Sequence, residues 1–189
     1  MTAHNLTDED RNCLLKLARS AIAAELIDGF EVRRPARPSG ALEEKSGCFV
    51  TLHKDDRLRG CIGTIEAARS LLSAVEENAR NAAFRDPRFP PLTADELPAV
   101  DIEISVLSVP QELAYGGADD LLEKLQAGTH GVIISSGWHS ATFLPQVWDQ
   151  LPVKTSFLEQ LCLKAGLDKN CWKTGATSVK VYTVEHFSE

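Results

Sequence analysis

Apolar residues at Leu14, Leu15, Ala18, Ala21, Ile22 and Leu26 recur every three or four positions, the spacing of an amphipathic helix. Its start is written in Leu6-Thr7-Asp8-Glu9-Asp10: Leu6 is placed to staple, Thr7 to cap, and the acidic turn suits the positive end of the helix dipole. Asp28-Gly29 supplies the stop. Residues 33–40 are too broken by proline for a regular element and read as a surface loop. Gly47 to His53 and Leu58 to Ile65 are β-rich runs around the polar tetrad Lys54-Asp55-Asp56-Arg57, which predicts a hairpin. Ser70 is positioned to cap a second helix through Leu71, Leu72, Val75, Ala79, Ala82 and Ala83, ending near Asp86-Pro87. Asp101 to Leu107 alternates cleanly, with Ile102, Ile104 and Val106 on the buried face of a strand.

Downstream, Asp119 to Gln126 reads as a short helix closed by Gly128, and Val132 to Ser135 as a strand. Ser136-Gly137 marks a turn into a returning strand, Ala141 to Leu144, stopped by Pro145. Thr155 is the expected cap of a helix through Phe157, Leu158, Leu161, Cys162 and Ala165, ended by Gly166. Ser178 to Phe187 reads as one long last strand. Hairpin signals outnumber strand-helix-strand crossovers, so the expected class is α+β, a mainly antiparallel sheet flanked by helices.

A length of 189 residues bounds the chain at one domain, residues 1–189, with room for two subdomains. A net charge of −7 weighs against broad nucleic-acid binding, which needs cations to displace phosphate counterions. Arg33, Arg34 and Arg37 read as a solvated loop. The five cysteines contain no Cys-x-x-Cys and lack histidines at zinc spacing, so neither a disulfide framework nor a metal site is expected. No signal-like or membrane-length apolar run occurs, which makes the cytoplasm the expected location and a membrane partner not expected. Phosphate-loop, dinucleotide, nucleophile-elbow and His-Glu-x-x-His motifs are all missing, and no cofactor is indicated.

Candidate chemistry concentrates in Leu58-Arg59-Gly60-Cys61-Ile62-Gly63. In a regular strand Arg59 and Cys61 share a face, and a nearby guanidinium favours the nucleophilic thiolate. Gly60 and Gly63 admit a ligand or another backbone at close range. A two- or four-residue hairpin loop would set Cys61 opposite Val50, Arg59 opposite Leu52 and Gly63 opposite Cys48, leaving Cys48 and Cys61 diagonal neighbours. An odd loop would break that register. The plain alternative is that Cys61 is a small buried hydrophobe, since neither exposure nor a base is legible. Asp86 and Arg88 flank Pro87 on a stiff loop suited either to a site or to capping. Gln146 is the directional polar group within Thr142-Phe143-Leu144-Pro145-Gln146-Val147-Trp148, a stretch that a buried tryptophan largely explains.

Taken together, the motifs resemble the AMMECR domain family, also called AmmeMemoRadiSam system protein A. The likeness rests on Gly47-Cys48-Phe49-Val50-Thr51-Leu52 leading into the hexapeptide, followed in order by Asp86-Pro87-Arg88-Phe89, residues 102–107, Phe143-Leu144-Pro145-Gln146-Val147 and Lys164-Ala165-Gly166-Leu167. It spans nearly the whole chain. The resemblance implies a larger sheet-and-helix body, a smaller second subdomain, and the hexapeptide near a cleft between them. It also implies partners, a Memo-like protein and a radical SAM enzyme, in a joint modification pathway for which RNA is a suggested target, but it implies no reaction. Cys48 stands where alanine is more usual, and Trp138-His139-Ser140 where a basic residue is common, which argues against anion binding by that turn.

Three readings follow. In one, a binding module holds a small ligand or a partner's loop at residues 58–63, with Gly60, Gly63, Asp86, Arg88 and Gln146 as binding residues. In another, a thiol enzyme uses Cys61 as nucleophile or redox group and Arg59 to orient an anionic substrate. The third, an RNA-associated protein, is opposed by the charge.

Overall fold

The computed structural model describes residues 6–173 and 177–189, so His4 lies outside the described residues. Among the described residues, five helices and eight strands form an α+β protein with two four-stranded sheets. The chain divides into two compact units, Met1–Ser108 with Glu185–Glu189, and Val109–Val184.

In the first unit, α1 (Asp8–Leu26) begins as the sequence predicts: Thr7 and Asp10 bond each other's backbone N–H in a capping box. Gly29 takes a left-handed φ of 76° just past its end. The proline loop leads into a single helical turn that the sequence does not announce, α2 (Gly40–Glu43). β1 (Cys48–Lys54), β2 (Arg57–Thr64), β3 (Val100–Leu107) and β8 (Val184–Ser188) form a sheet in the order β2-β1-β3-β8. α3 (Leu71–Phe84) is capped by Ser70, whose hydroxyl accepts the Ser73 N–H, and packs with α1 against this sheet. The core is the meeting of the predicted faces, with Leu14, Ile22, Val75 and Ala79 from the helices and Val50, Leu52, Ile102 and Ile104 from the strands, all fully buried.

The 54–57 connection is a tight two-residue turn in which Asp55 and Asp56 both take positive φ, 52° and 57°, as a hairpin whose twist matches its strands requires. Lys54 pairs with Arg57 and His53 with Leu58, and then the register slips by one, so that Leu52 pairs with Gly60. Arg59 is the extra residue of a β-bulge. The sequence-based register is therefore corrected: Cys61 lies opposite Thr51, Gly63 opposite Phe49, and Cys48 opposite Thr64. Cys48 and Cys61 occupy opposite faces of the sheet, not one diagonal.

The second unit contains β4 (Gln111–Glu112), α4 (Ala118–Lys124), β5 (Gly131–Ser136), β6 (His139–Phe143), α5 (Lys154–Lys164) and β7 (Ser178–Tyr182), its sheet ordered β4-β7-β5-β6. Trp148 stacks on Phe157 with ring centroids 3.6 Å apart and donates its indole N–H to the His130 carbonyl at 2.7 Å. Three expectations change here. α5 starts one residue before Thr155, which caps nothing. Cys162 and Cys171 form a disulfide inside this core, a pairing across nine residues that no spacing motif marks. The final run is two strands, because the chain leaves the second sheet after Tyr182 and joins the first as β8. Among the described residues no helix is long and apolar enough to cross a membrane.

Gly60 faces α3 so closely that an added Cβ would sit 2.2 Å from the Ala82 carbonyl oxygen, a backbone atom that cannot step aside. Gly60→Ala is expected to lower stability by about 1–3 kcal/mol, the cost of overpacking. Gly40→Ala, where a Cβ meets nothing, is the control and is expected to leave the urea midpoint unmoved. An unchanged midpoint for Gly60→Ala would show that α3 does not sit on β2 in this way.

Candidate functional site

β2 is the edge strand of its sheet, and the bulge within it separates the two residues that looked paired in sequence. Arg59 turns to Glu96: Nε and Nη2 donate to the two carboxylate oxygens at 3.1 and 2.9 Å, a forked geometry that arginine favours. Lys54 adds a third donor to the same carboxylate at 3.0 Å. The Arg59 bonds, then that of Lys54, hold the Glu96 carboxyl down at about 2. Only 11% of the Arg59 side chain is exposed, so this guanidinium ties β2 to the segment before β3. Neither its position in the bulge nor its partner places it beside the thiol.

Cys61 is half-buried on the other face of the sheet, where its sulfur accepts a hydrogen bond from the Thr51 hydroxyl at 3.3 Å. Its peptide group is clasped from outside the sheet. Asp86 accepts the Cys61 N–H at 2.9 Å, and Arg88 donates to the Cys61 carbonyl at 3.2 Å, the two bonds a neighbouring strand would otherwise supply. Arg88 also grips Asp86 through Nε and Nη2 at 2.9 and 2.7 Å. The Arg88 bonds, against the cost of burial and helped by the Cys61 and Arg88 N–H groups, hold the Asp86 carboxyl well below the usual aspartate range. Asp86 follows α3 by two residues, so the helix that packs on β2 also delivers the clasp.

The two glycines are accounted for by this chain's own packing. Gly60 yields to Ala82, and at Gly63 a Cβ would sit 2.4 Å from the Phe49 ring and from the Cys48 carbonyl oxygen. Gln146 lies in the second unit, exposed on the turn Pro145–Asp149, and the neighbouring tryptophan is buried and satisfied. The structure thus brings Cys61, Asp86 and Arg88 together and gives Arg59 a separate partner. Thr51 and Glu96 are the members that sequence reading missed. Thr51 was detectable as a polar position alternating with Val50 and Leu52, whereas Glu96, 37 residues from Arg59, had no local signal. Cys48 is different in kind: fully buried, its sulfur and carbonyl both near the Asn78 amide, its thiol is pushed up to about 12 by burial. Among the described residues no three His, Cys, Asp or Glu side chains group as a metal site.

The architecture and edge-strand signature define a two-unit α+β protein with its thiol on the sheet face. A family model, AMMECR1, matches residues 15–187. A protein of Methanopyrus kandleri is 40% identical over 192 residues, covering 97% of this chain and 90% of its own, and one of Methanocaldococcus jannaschii is 38% identical over 187 residues, covering 95% and 89%. The crystal structure of an uncharacterised protein from Pyrococcus horikoshii superposes with a TM-score of 0.85 at 36% identity, covering 97% of this chain and 93% of that one. The chain belongs to the AMMECR1 family.

Because folding lowers the Asp86 pKa, its contribution to stability is complete above the unfolded value of about 3.8 and is lost as pH falls toward the folded one. Asp86→Asn is therefore expected to destabilise at neutral pH, with the gap to wild type narrowing between about pH 5 and about pH 2 in urea titrations. A gap independent of pH would refute the clasp. In the native state Cys61 is expected to react with iodoacetamide while Cys48 reacts only on unfolding, as read by peptide mass mapping; equal protection of both would remove Cys61 from the surface.

Proposed function

We propose that this protein is a binding component of a modification system that includes a Memo-like protein and a radical SAM enzyme, and that it engages a small ligand or a partner segment at residues 58–63. The observation that carries the reading is the clasp on Cys61. Asp86 and Arg88 immobilise the peptide of an edge strand, so the half-exposed thiol and the exposed Leu58 are presented from a rigid mount. Binding is favoured over arginine-assisted thiol chemistry because the Arg59 guanidinium is bound to Glu96, and Arg88, the guanidinium that does lie against Cys61, is forked onto the Asp86 carboxylate. Among the described residues the thiol lies beside the Thr51 hydroxyl and the Arg88 guanidinium, and no histidine or carboxylate bonds to it.

The half-exposure of Cys61 favours one second reading, a thiol-dependent enzyme. Tagged protein mixed with recombinant Memo-like and radical SAM proteins from the same genome separates the two. The binding reading expects capture of at least one partner, retained by Cys61→Ser and weakened about tenfold or more by Leu58→Asp at the exposed position. Loss of product formation in Cys61→Ser with capture intact would move the assignment to the thiol enzyme. Failure of the wild-type chain to capture either protein would overturn the proposed partnership.

A further inference from the structure

Away from the clasp, the outer side of α3 lines a groove of about 510 Å³, a size suited to a small molecule. Four arginines, at 34, 69, 80 and 85, border it together with three glutamates, at 25, 76 and 77, an excess of one positive charge on a chain of net charge −7. Arg34 comes from the proline loop that reads in sequence as mere solvated charge; the fold carries it onto the helix.

The arrangement has a buried support. The Glu76 side chain is 7% exposed and accepts from Arg34 Nε at 2.7 Å and Arg80 Nη2 at 3.0 Å, so one carboxylate holds two guanidiniums at the groove wall. Each guanidinium has five donors, and most stay free of Glu76. Arg80 is also ion-paired with Glu25, whose carboxylate stands 3.4 Å from the buried Nε without hydrogen-bond geometry. Arg85 is exposed and, among the described residues, donates a hydrogen bond to the neutral Asn81 amide oxygen at 3.4 Å. Beside it, half-buried Phe84 contributes an apolar surface to the same groove.

We infer that this groove binds a small phosphomonoester whose organic part is apolar or aromatic. The phosphoryl oxygens would be taken by Arg34, Arg80 and Arg85, and the organic part would rest on Phe84. A dianion with three acceptor oxygens matches three guanidiniums better than a single carboxylate does. Glu25 and Glu77 also border the groove, and the chain is acidic, which disfavours an extended polyanion such as nucleic acid.

The test is titration of ¹⁵N-labelled full chain with phenyl phosphate at fixed ionic strength, followed by amide shifts. Saturable binding with shifts on residues 69–85 is expected, tighter than for inorganic phosphate, which leaves Phe84 uncovered. The double variant Arg80→Gln/Arg85→Gln is expected to weaken it at least about tenfold. Arg85→Gln alone, at an exposed position, should weaken it with an unchanged melting midpoint, and Lys169→Gln, which alters net charge equally, should have no effect. Absence of saturable binding, equal affinity in the arginine variants and wild type, or equal weakening by Lys169→Gln would overturn the phosphoryl site. Equal affinity for inorganic phosphate would overturn the role of Phe84.

Discussion

The close approach of α3 to β2 at Gly60 is the constraint on which the first unit is built. With no side chain at Gly60, the Ala82 carbonyl lies where a Cβ would be, and the helix can lie directly on the edge strand. From that contact the rest follows along the helix. Asn78 reaches the Cys48 carbonyl, and the residues just past the helix end bring Asp86 to the Cys61 peptide. A helix one side chain further out would carry both groups away from their partners.

The bulge at Arg59 is the second device, and it divides the labour of the signature. One extra residue sends the arginine to Glu96 and the thiol to the opposite face beside Thr51. An edge strand ordinarily leaves alternate peptide groups open to another chain. Here the Asp86–Arg88 pair covers the peptide of Cys61 with one acceptor and one donor, so the edge is closed at the residue whose side chain remains accessible. Of the charged pairs around the signature, Asp86–Arg88 acts on the Cys61 peptide while Arg59–Glu96 ties side chain to side chain, and the chemistry left at the surface is a thiol beside a hydroxyl and a guanidinium, with the leucine at its start.

The same logic runs through the outer face of α3, where Glu76 is buried beneath arginines from two distant parts of the chain. A buried carboxylate that lost one partner would be left underpaired, so the two guanidiniums are fixed by the fold as much as they fix it. Their remaining donors are what the groove offers.

Patterns within one element were legible from the amino-acid sequence alone. The Thr7 and Ser70 caps, the alternation of β3 as far as Ile104 and the hairpin turn within 54–57 depend on neighbours a few residues apart, while the order of motifs that marks the family is read directly along the chain. What only the tertiary structure decided has no local signal in the chain: the bulge that re-phased Cys61, the Arg59–Glu96 fork, the Cys162–Cys171 disulfide and the division of the last strand between two sheets. The reason is physical. Local hydrogen bonds and side-chain periodicity are set by chain geometry. A bulge or a long-range ion pair forms only because packing elsewhere, here α3 upon Gly60, brings its members together.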